Sequence, residues 1–532
     1  MINYDVSLPE AVARSAERLS DKKFLQEVDG ASISYGEFIE KSQQWASALE
    51  SAGVQDGDRV ATMLDNCIDG AVIWGALSWL CAVDTSVSVQ YRGSLLAHVL
   101  NVSAAKILFT DAECLDGLAT CASELKHLRT IVLRDPSPQA ITAGQAMGFE
   151  VYGRDDFFGK ASPRTTSAFP GTWNIACVVF TSGTTGPSKG SMVPWRQLAT
   201  GGYSLEGLGL REDDVFYHTG AASHTIGRFT MLLTATLGAT MVLKKTFKTQ
   251  DFWNDIDRYG CTFTNFVGAM SHFILSQPPD ASDSKHPLRL VSMAPVHPQY
   301  EEFKKRFGVE VYTAYGMTEC FGPFNTVGYG IEDPKSCGRV RTGWPYFEAR
   351  LVDEHDEEVP TGQVGELMVR TGVPWAMTAG YIGMPDRTAE AWRNGWFHTG
   401  DGFRKGENGL YYFSDRLKDV IRRRGENISS FEVEAEVNRH PCVAECAVIA
   451  VPAEDIEDEI KVFVVPREGP QLDPAELIHF LAKRMTRFMI PRYIEIVSEL
   501  PKTHTLRVKK AELRARPSGK TWDRVVAGID IR

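Results

Sequence analysis

No stretch of this sequence is long and apolar enough to cross a membrane. The longest apolar run, Ala71 to Val83, lies between Asp69 and Asp84. It falls short of the roughly 20 residues a spanning helix needs and reads as a buried helix. The N-terminus has acidic residues and no apolar signal region, and the final Asp530-Ile531-Arg532 is neither a peroxisomal address nor a prenylation box. These absences predict a cytoplasmic protein. A basic surplus is lacking too: 57 Lys and Arg stand against 68 Asp and Glu, a net charge of −11, which argues against nucleic acid as a partner. The ten cysteines contain no C-x-x-C, and the closest pair, Cys442 and Cys446, lacks partners at metal-site spacing. Reduced thiols are expected. There is no internal repeat and no low-complexity tract, and 43% hydrophobic with 23% charged residues excludes wholesale disorder.

What the sequence does contain is alternation. Residues 9–55 read as helix, short strand, helix: Glu10 to Leu19 is amphipathic, and Ser34-Tyr35-Gly36-Glu37 has the composition of a helix start. Apolar β-rich runs then alternate with helical stretches, with strands expected at Arg59–Met63, Lys106–Thr110, Thr130–Leu133, Ile175–Thr181, Thr240–Leu243, Thr262–Phe266, Leu288–Met293 and Val309–Ala314. That pattern predicts βαβ units, hence an α/β fold with mainly parallel sheets. From about Arg350 the texture changes to strand, acidic turn, strand, a small antiparallel β unit. Residues 1–415 are expected to form one large domain and residues 416–532 a separate α+β domain. Asp135 to Pro170, rich in Pro, Ser, Thr and Gly, is expected to be irregular surface.

The segment Thr181-Ser182-Gly183-Thr184-Thr185-Gly186-Pro187-Ser188-Lys189-Gly190 follows an apolar strand. Its glycines permit close backbone approach, its hydroxyls donate, and Lys189 adds charge, which together suit a polyphosphate. The spacing is not that of a Walker A loop, and at Gly519-Lys520-Thr521 the first glycine is replaced by Arg514. Gly186 to Gly190 also matches the G-x-S-x-G of hydrolases, but Ser188 lies eight residues beyond Phe180 rather than on a strand-to-helix turn. Tyr315-Gly316-Met317-Thr318-Glu319 offers an aromatic for a purine, with a hydroxyl and a carboxylate for phosphate and a hard cation; a strand leading into a capped helix accounts for it equally well. Gly395 to Asp401 places a carboxylate after a glycine turn, either to bind ribose hydroxyls or to cap the turn. Asp415-Arg416-Leu417-Lys418-Asp419 reads alone as a solvated charge run.

In chain order, these four segments resemble those of the adenylate-forming superfamily: acyl-CoA synthetases, luciferases and the adenylation domains of peptide synthetases. The likeness spans nearly the whole chain. Arg422-Arg423-Arg424-Gly425-Glu426-Asn427-Ile428-Ser429 and the context Ala314 to Cys320 make it similar to acyl-CoA ligases, notably bacterial carnitine/crotonobetaine-type and fatty-acid-type members. The resemblance implies a two-step reaction: a small carboxylic acid attacks the α-phosphate of ATP, with Mg²⁺ neutralising the phosphates, and the acyl-adenylate is then taken by the thiol of coenzyme A. It implies a mobile C-terminal domain that turns between the steps at Lys418. It further implies that Thr181 to Gly186 and Lys189 hold phosphates, Tyr315 stacks on adenine, Thr318 and Glu319 serve phosphate and Mg²⁺, and Asp401 with Arg416 holds ribose. Gly425 falls on the loop lining the pantetheine tunnel. The acyl pocket would be built from His224, Val267, Gly268, Met293, Ala294 and Gly316, with Arg228 at its margin as the nearest cation. Its walls read as mostly apolar and favour an uncharged acyl group. A homodimer is the default assembly.

Two departures from the family pattern stand out. The stretch that normally reads PKTPTGK is Pro501-Lys502-Thr503-His504-Thr505-Leu506-Arg507, so Arg507 occupies the place of the catalytic lysine. A planar, forked guanidinium is not a conservative replacement for an ammonium in a tight site. Either Arg507 takes the role, or Lys509 does so from the same face of an extended segment, or the chain is an adenylate-binding pseudoenzyme. The second departure is Val291-Ser292-Met293-Ala294-Pro295, where relatives carry a glycine pair; Met293 is expected to reshape the wall near the acyl chain or the adenine. Transfer to an amine or a carrier-protein thiol is the alternative to coenzyme A.

Overall fold

The computed structural model describes residues 3–159, 161, 168–181, 188–267, 270–328, 330–416, 421–423, 426–428, 430–452, 458–469, 472–482, 484–485, 489–503, 508–516 and 520–529. Its contacts fall into two compact units. The first takes in most of the chain up to Glu348 together with Val369–Trp396; the second takes in Ala349–Met368 and the chain from Phe397 onward.

The first unit holds two seven-stranded sheets. In one, Arg59–Met63 lies between Val83–Ser86 and Ile107–Thr110, and Thr130–Leu133 and Glu150–Gly153 continue outward, all parallel. In the other, Val215–His218 lies between Thr240–Leu243 and Phe263–Val267, followed by Leu290–Ala294 and Glu310–Tyr312, again all parallel. Each is the doubly wound order 2-1-3-4-5. Each is extended past its second strand by a hairpin: Ile175–Thr181 with Lys189–Pro194 in the first sheet, Lys23–Glu27 with Ser32–Ser34 in the second. The architecture is therefore duplicated although the sequence shows no repeat.

A shared apolar core joins the two sheets. It combines Val60, Phe109, Cys177 and Val179 of the first with Phe216, Phe263 and Leu290 of the second, and with the helices Leu8–Leu19, Tyr35–Ser51, Ile68–Trp79, Trp195–Tyr203 and Thr225–Leu237. Beyond its first turn, Ile68–Trp79 is buried on every side and almost wholly apolar, as an enclosed helix must be. Tyr35–Ser51 begins with a capping box: Ser34 accepts from the Glu37 N–H, and the Glu37 carboxylate accepts from the Ser34 N–H. In this core Arg228 is paired with Asp84. The same Asp84 accepts from Thr62 at 2.6 Å and Ser86 at 2.8 Å, and the guanidinium lies 4.6 Å from the Trp74 ring centre.

Several expectations need correcting. Asp135 to Pro170 is not all irregular; it contains the helices Pro138–Ala146 and Arg154–Phe158 and the strand Glu150–Gly153, because Pro138 sits at a helix start where proline is tolerated. The apolar run from Ala71 is a helix only to Trp79, and Val83 opens a strand. Val309 to Ala314 is not one strand either. Glu310–Tyr312 belongs to the parallel sheet and Ala314–Met317 to a three-stranded antiparallel sheet, since Thr313 bonds Thr326 and leaves the ladder between them.

Glu348–Val352, Val364–Arg370, Phe397–Lys405 and Tyr411–Arg416 form a four-stranded sheet, nearly all of it in the second unit. A second sheet orders Val443–Pro452, Asp458–Pro466, Tyr493–Ile496 and Thr521–Asp523, with the helices Ser430–Val437 and Pro474–Ala482 over its core. Among the described residues no helix is long and apolar enough to cross a membrane.

Removing one partner of a buried pair leaves the other charge uncompensated and costs about 3–5 kcal/mol. Asp84→Ala is therefore expected to lower the unfolding free energy read from urea titration by that amount, seen as a lower midpoint at unchanged m-value. A double replacement by apolar residues, Asp84→Leu with Arg228→Met, should cost less than Asp84→Ala alone.

Candidate active site

Thr181 and Lys189 face each other in the ladder between Ile175–Thr181 and Lys189–Pro194. The Ser188 hydroxyl donates to the Thr181 carbonyl at 2.7 Å, and His98 Nε2 lies 2.8 Å from the Ser188 carbonyl. The segment between them thus connects two antiparallel strands, not a strand and a helix. That geometry, with Ser188 only 4% exposed and committed to a backbone carbonyl, excludes a nucleophile elbow. Ser182, Gly183, Thr184, Thr185 and Gly186 lie outside the described residues.

Thr318 and Glu319 are the two-residue turn between Ala314–Met317 and Cys320–Asn325, where Met317 pairs with Cys320. A hairpin replaces the capped helix that the sequence also permitted. Both turn residues are buried; the Thr318 carbonyl accepts from Gln197 at 2.8 Å and the Glu319 carbonyl from the Thr378 N–H at 2.8 Å. Gly316 is exposed on the first strand, where a Cβ would stand 3.1 Å from the Gly322 nitrogen. Tyr315 beside it is half-buried, tilted against Phe324.

Sequence reasoning missed Tyr381. Its hydroxyl donates to Glu319 Oε1 at 2.8 Å, and the Lys189 ammonium lies 4.8 Å from its ring centre. One buried phenol thus gathers the cation of the glycine-rich hairpin and the carboxylate of the Thr318–Glu319 turn. Backbone bonds Met192 to Gly380 and Ile382 to Gly190 hold its segment along the hairpin's outer strand. The signal was an aromatic between two glycines of positive φ, Gly380 at 116° and Gly383 at 65°.

At the C-terminal edge of the second sheet, His224 caps the helix Thr225–Leu237, its Nδ1 accepting from the Ile226 N–H at 3.2 Å. Met293 does not line this face. It is fully buried on the other side of the sheet, in the core of Phe252, Phe266 and Phe303, while its neighbours Ser292 and Ala294 are half-buried on the near side. Arg228 is not a marginal cation either, being spent on Asp84. Val267 ends its strand; its side chain and Gly268 lie outside the described residues.

In the second unit the hairpin of Phe397–Lys405 with Tyr411–Arg416 sets Asp401 opposite Arg416. Asp401 is buried and its N–H bonds the Thr399 hydroxyl. The Arg416 side chain, Lys418, Gly425 and Arg507 lie outside the described residues. Cys67 and Cys177 are inert core thiols: burial pushes Cys67 up to about 11 and Cys177 up to about 12.

Paired doubly wound sheets, a glycine- and hydroxyl-rich hairpin with its lysine, and a buried carboxylate held beside it define an enzyme of the adenylate-forming class. The chain belongs to the AMP-binding enzyme family: the family model matches residues 12–382, and that of the AMP-binding enzyme C-terminal domain matches residues 432–506. It is 30% identical over 493 residues to a crotonobetaine/carnitine–CoA ligase of Escherichia coli, covering 90% of this chain and 93% of that one. Among solved structures it is similar to ATP-bound MatB from Rhodopseudomonas palustris, at 26% identity and a TM-score of 0.80, covering 95% and 98% of the two chains. An anthranilate CoA ligase in complex with anthranoyl-AMP shares the fold at a TM-score of 0.85 and 22% identity, covering 97% and 98%.

Tyr381→Phe keeps the ring beside Lys189 but removes the donor to Glu319. A hydrogen bond to a charged group is worth about 1.5–3 kcal/mol. Carboxylate-dependent pyrophosphate release should fall by about ten- to a hundred-fold, and the melting temperature by a few degrees.

Proposed function

We propose that this protein joins an uncharged carboxylic acid to ATP, releasing pyrophosphate, and then passes the acyl group from the adenylate to coenzyme A. The observation that supports it most is the convergence of Lys189 and Glu319 on Tyr381 at the root of the glycine-rich hairpin. An ammonium there suits phosphate oxygens, and the carboxylate suits a hard cation. The acceptor follows the Escherichia coli relative, whose name specifies coenzyme A and of which this chain covers 93%.

In this reading Thr181 and Lys189, with Ser182 to Gly186, hold the phosphates, and Tyr315 stacks on adenine. Asp401 and Arg416, opposite one another in their hairpin, take the ribose hydroxyls. Glu319 and Thr318 would hold Mg²⁺; one carboxylate plus hydroxyl oxygen is the donor set this ion accepts when substrate phosphates complete its shell. Bound there, it would neutralise phosphate charge. His224, Ala294 and Gly316 border the acyl group, and Gly425 lines the path of the thiol. Residues 416–532 turn as a body at Lys418 between the two steps, and Arg507 stabilises charge moving onto the α-phosphate. The protein works in the cytoplasm, and a homodimer, readable by light scattering, is its assembly.

The deciding experiment measures carboxylate-dependent pyrophosphate release, then CoA-dependent AMP release. Pyrophosphate without CoA dependence would point to another acceptor; neither signal with any acid would make the chain a pseudoenzyme. Two variants separate the half-reactions. Lys418→Pro, whose fixed φ blocks rotation at that residue, should keep adenylation and lose thioester formation. Arg507→Ala should do the opposite: adenylation falls by about a hundred-fold or more, while a supplied acyl-adenylate is still converted to the thioester.

A further inference from the structure

The central strands of the second sheet are in register. Phe216 pairs with Phe263, Tyr217 with Thr264, Asn265 with Ser292, and Ser292 with Tyr312. Continuing that register sets His218 beside Asn265, so His218, Asn265, Ser292 and Tyr312 form one row across four strands. Side chains alternate along a strand, so this row shares a face with Phe216, Phe263 and Leu290, two residues earlier. That earlier row belongs to the apolar core. The last row replaces it with an imidazole, an amide, a hydroxyl and a phenol. It lies at the C-terminal edge of the sheet, and its His218–Asn265 end is the switch between the first and third strands, where doubly wound sheets take their ligands.

Three observations say that this row receives something. Asn265 and Ser292 are half-buried although they sit in interior strands, so the face opens into a crevice there. The Tyr312 phenol is buried and bonded to Ser292, which fixes one end of the row. At the other end His218 is 3% exposed; its ring bonds the Gly220 backbone, and Nε2 has no partner among the described residues. Burial, with His224 nearby, brings this imidazole down to about 4 and so keeps it neutral. A neutral ring that donates through one nitrogen presents a lone pair at the other. Nε2 is aimed at Gly227 in the first turn of the helix that His224 caps, where any Cβ would stand 2.9 Å away. Nε2 is itself buried, and only glycine there avoids pressing a carbon onto its lone pair.

We propose that the acid activated by this enzyme carries a hydrogen-bond donor, a hydroxyl or an amino N–H, on its acyl body, received by His218 Nε2 with Asn265 and Ser292 beside it. Acids with a plain hydrocarbon body are then poor substrates, because they leave the buried His218 Nε2 unpaired. A second carboxylate is not matched, since no described residue of the row is cationic and Arg228 is held by Asp84. The inference rests on the acid-activating reading above and narrows its substrate class.

The test is pyrophosphate release by the full-length protein with ATP, Mg²⁺ and matched acids: 4-hydroxybenzoate and 4-aminobenzoate against benzoate, 3-hydroxybutyrate against butyrate, and 3-hydroxydecanoate against decanoate. In the size class that fits, the donor-bearing acid should exceed its partner in kcat/KM by at least about 100-fold, as sites built to bond a substrate hydroxyl do. His218→Leu should shrink that ratio to within about ten-fold and leave the KM for ATP unchanged. Should that variant fail to fold, Ser292→Ala and Asn265→Leu report the same ratio. Equal or better use of the hydrocarbon acids, or a ratio untouched by these substitutions, overturns the inference while the ligase reading stands. No release with any acid overturns the ligase reading, and this inference with it.

Discussion

The pair of Arg228 with Asp84 is the constraint on which both halves of the first unit depend. Asp84 belongs to Val83–Ser86, which is laddered to Ile175–Thr181, the strand that runs into the phosphate-type hairpin. Arg228 lies one residue beyond Gly227, in the first turn of the helix capped by His224. One ion pair therefore ties the hairpin of the first sheet to the C-terminal edge of the second. Burying two charges costs several kcal/mol per ion, and attraction offsets this only when the remaining polar atoms are satisfied. Here Thr62, Ser86 and the face of Trp74 supply most of that satisfaction, while Arg228 Nε keeps no partner among the described residues.

Tyr381 extends the same logic to the charged groups of the candidate site. Lys189 and Glu319 come from segments 130 positions apart in sequence. Neither segment fixes the other; the third segment does, by lying against Lys189–Pro194 and turning one phenol between them. A tyrosine suits this place because its ring attracts an ammonium while its hydroxyl donates to a carboxylate, so a single side chain serves opposite charges.

What was legible in the sequence was whatever depends on local pattern. The parallel strands were readable as apolar runs because strands buried on both faces need no polar alternation. The capped start at Ser34 and the small antiparallel unit after Arg350 were readable from turn and cap chemistry. The duplication was not readable, since two 2-1-3-4-5 sheets share an order of pairing and no residue pattern. Met293 was misassigned because its departure from a glycine pair was visible but its face was not; period-two alternation turns it into the far core while Ser292 and Ala294 stay near the crevice. The polar row escaped notice for the same reason. Its successive members are 20 to 47 positions apart, and only the ladder register makes them neighbours.

The tail shows how partner geometry narrows a choice that sequence leaves open. Lys509 and Lys510 flank the start of the helix Lys510–Ala515. Lys510 bonds Ser430 and pairs with Glu434 at 2.8 Å, Ser430 bonds Asp415, and burial raises the Glu434 carboxyl against that pull. Lys510 is thereby committed to fastening this segment to the end of the strand Tyr411–Arg416. Lys509 pairs with Glu512 at 2.8 Å, and its backbone N–H closes on the Pro501 carbonyl, with Lys502 bridged to Val508 inside that closure. An exposed pair of that kind is worth at most about 1 kcal/mol, so it does not by itself hold Lys509 back. Its place does: Lys509 stands at the N-terminal end of the helix Lys510–Ala515, its backbone held by the bond to Pro501. With Lys510 committed to Glu434 and Lys509 fixed there, Arg507 remains our proposal for the role that the family pattern gives to lysine.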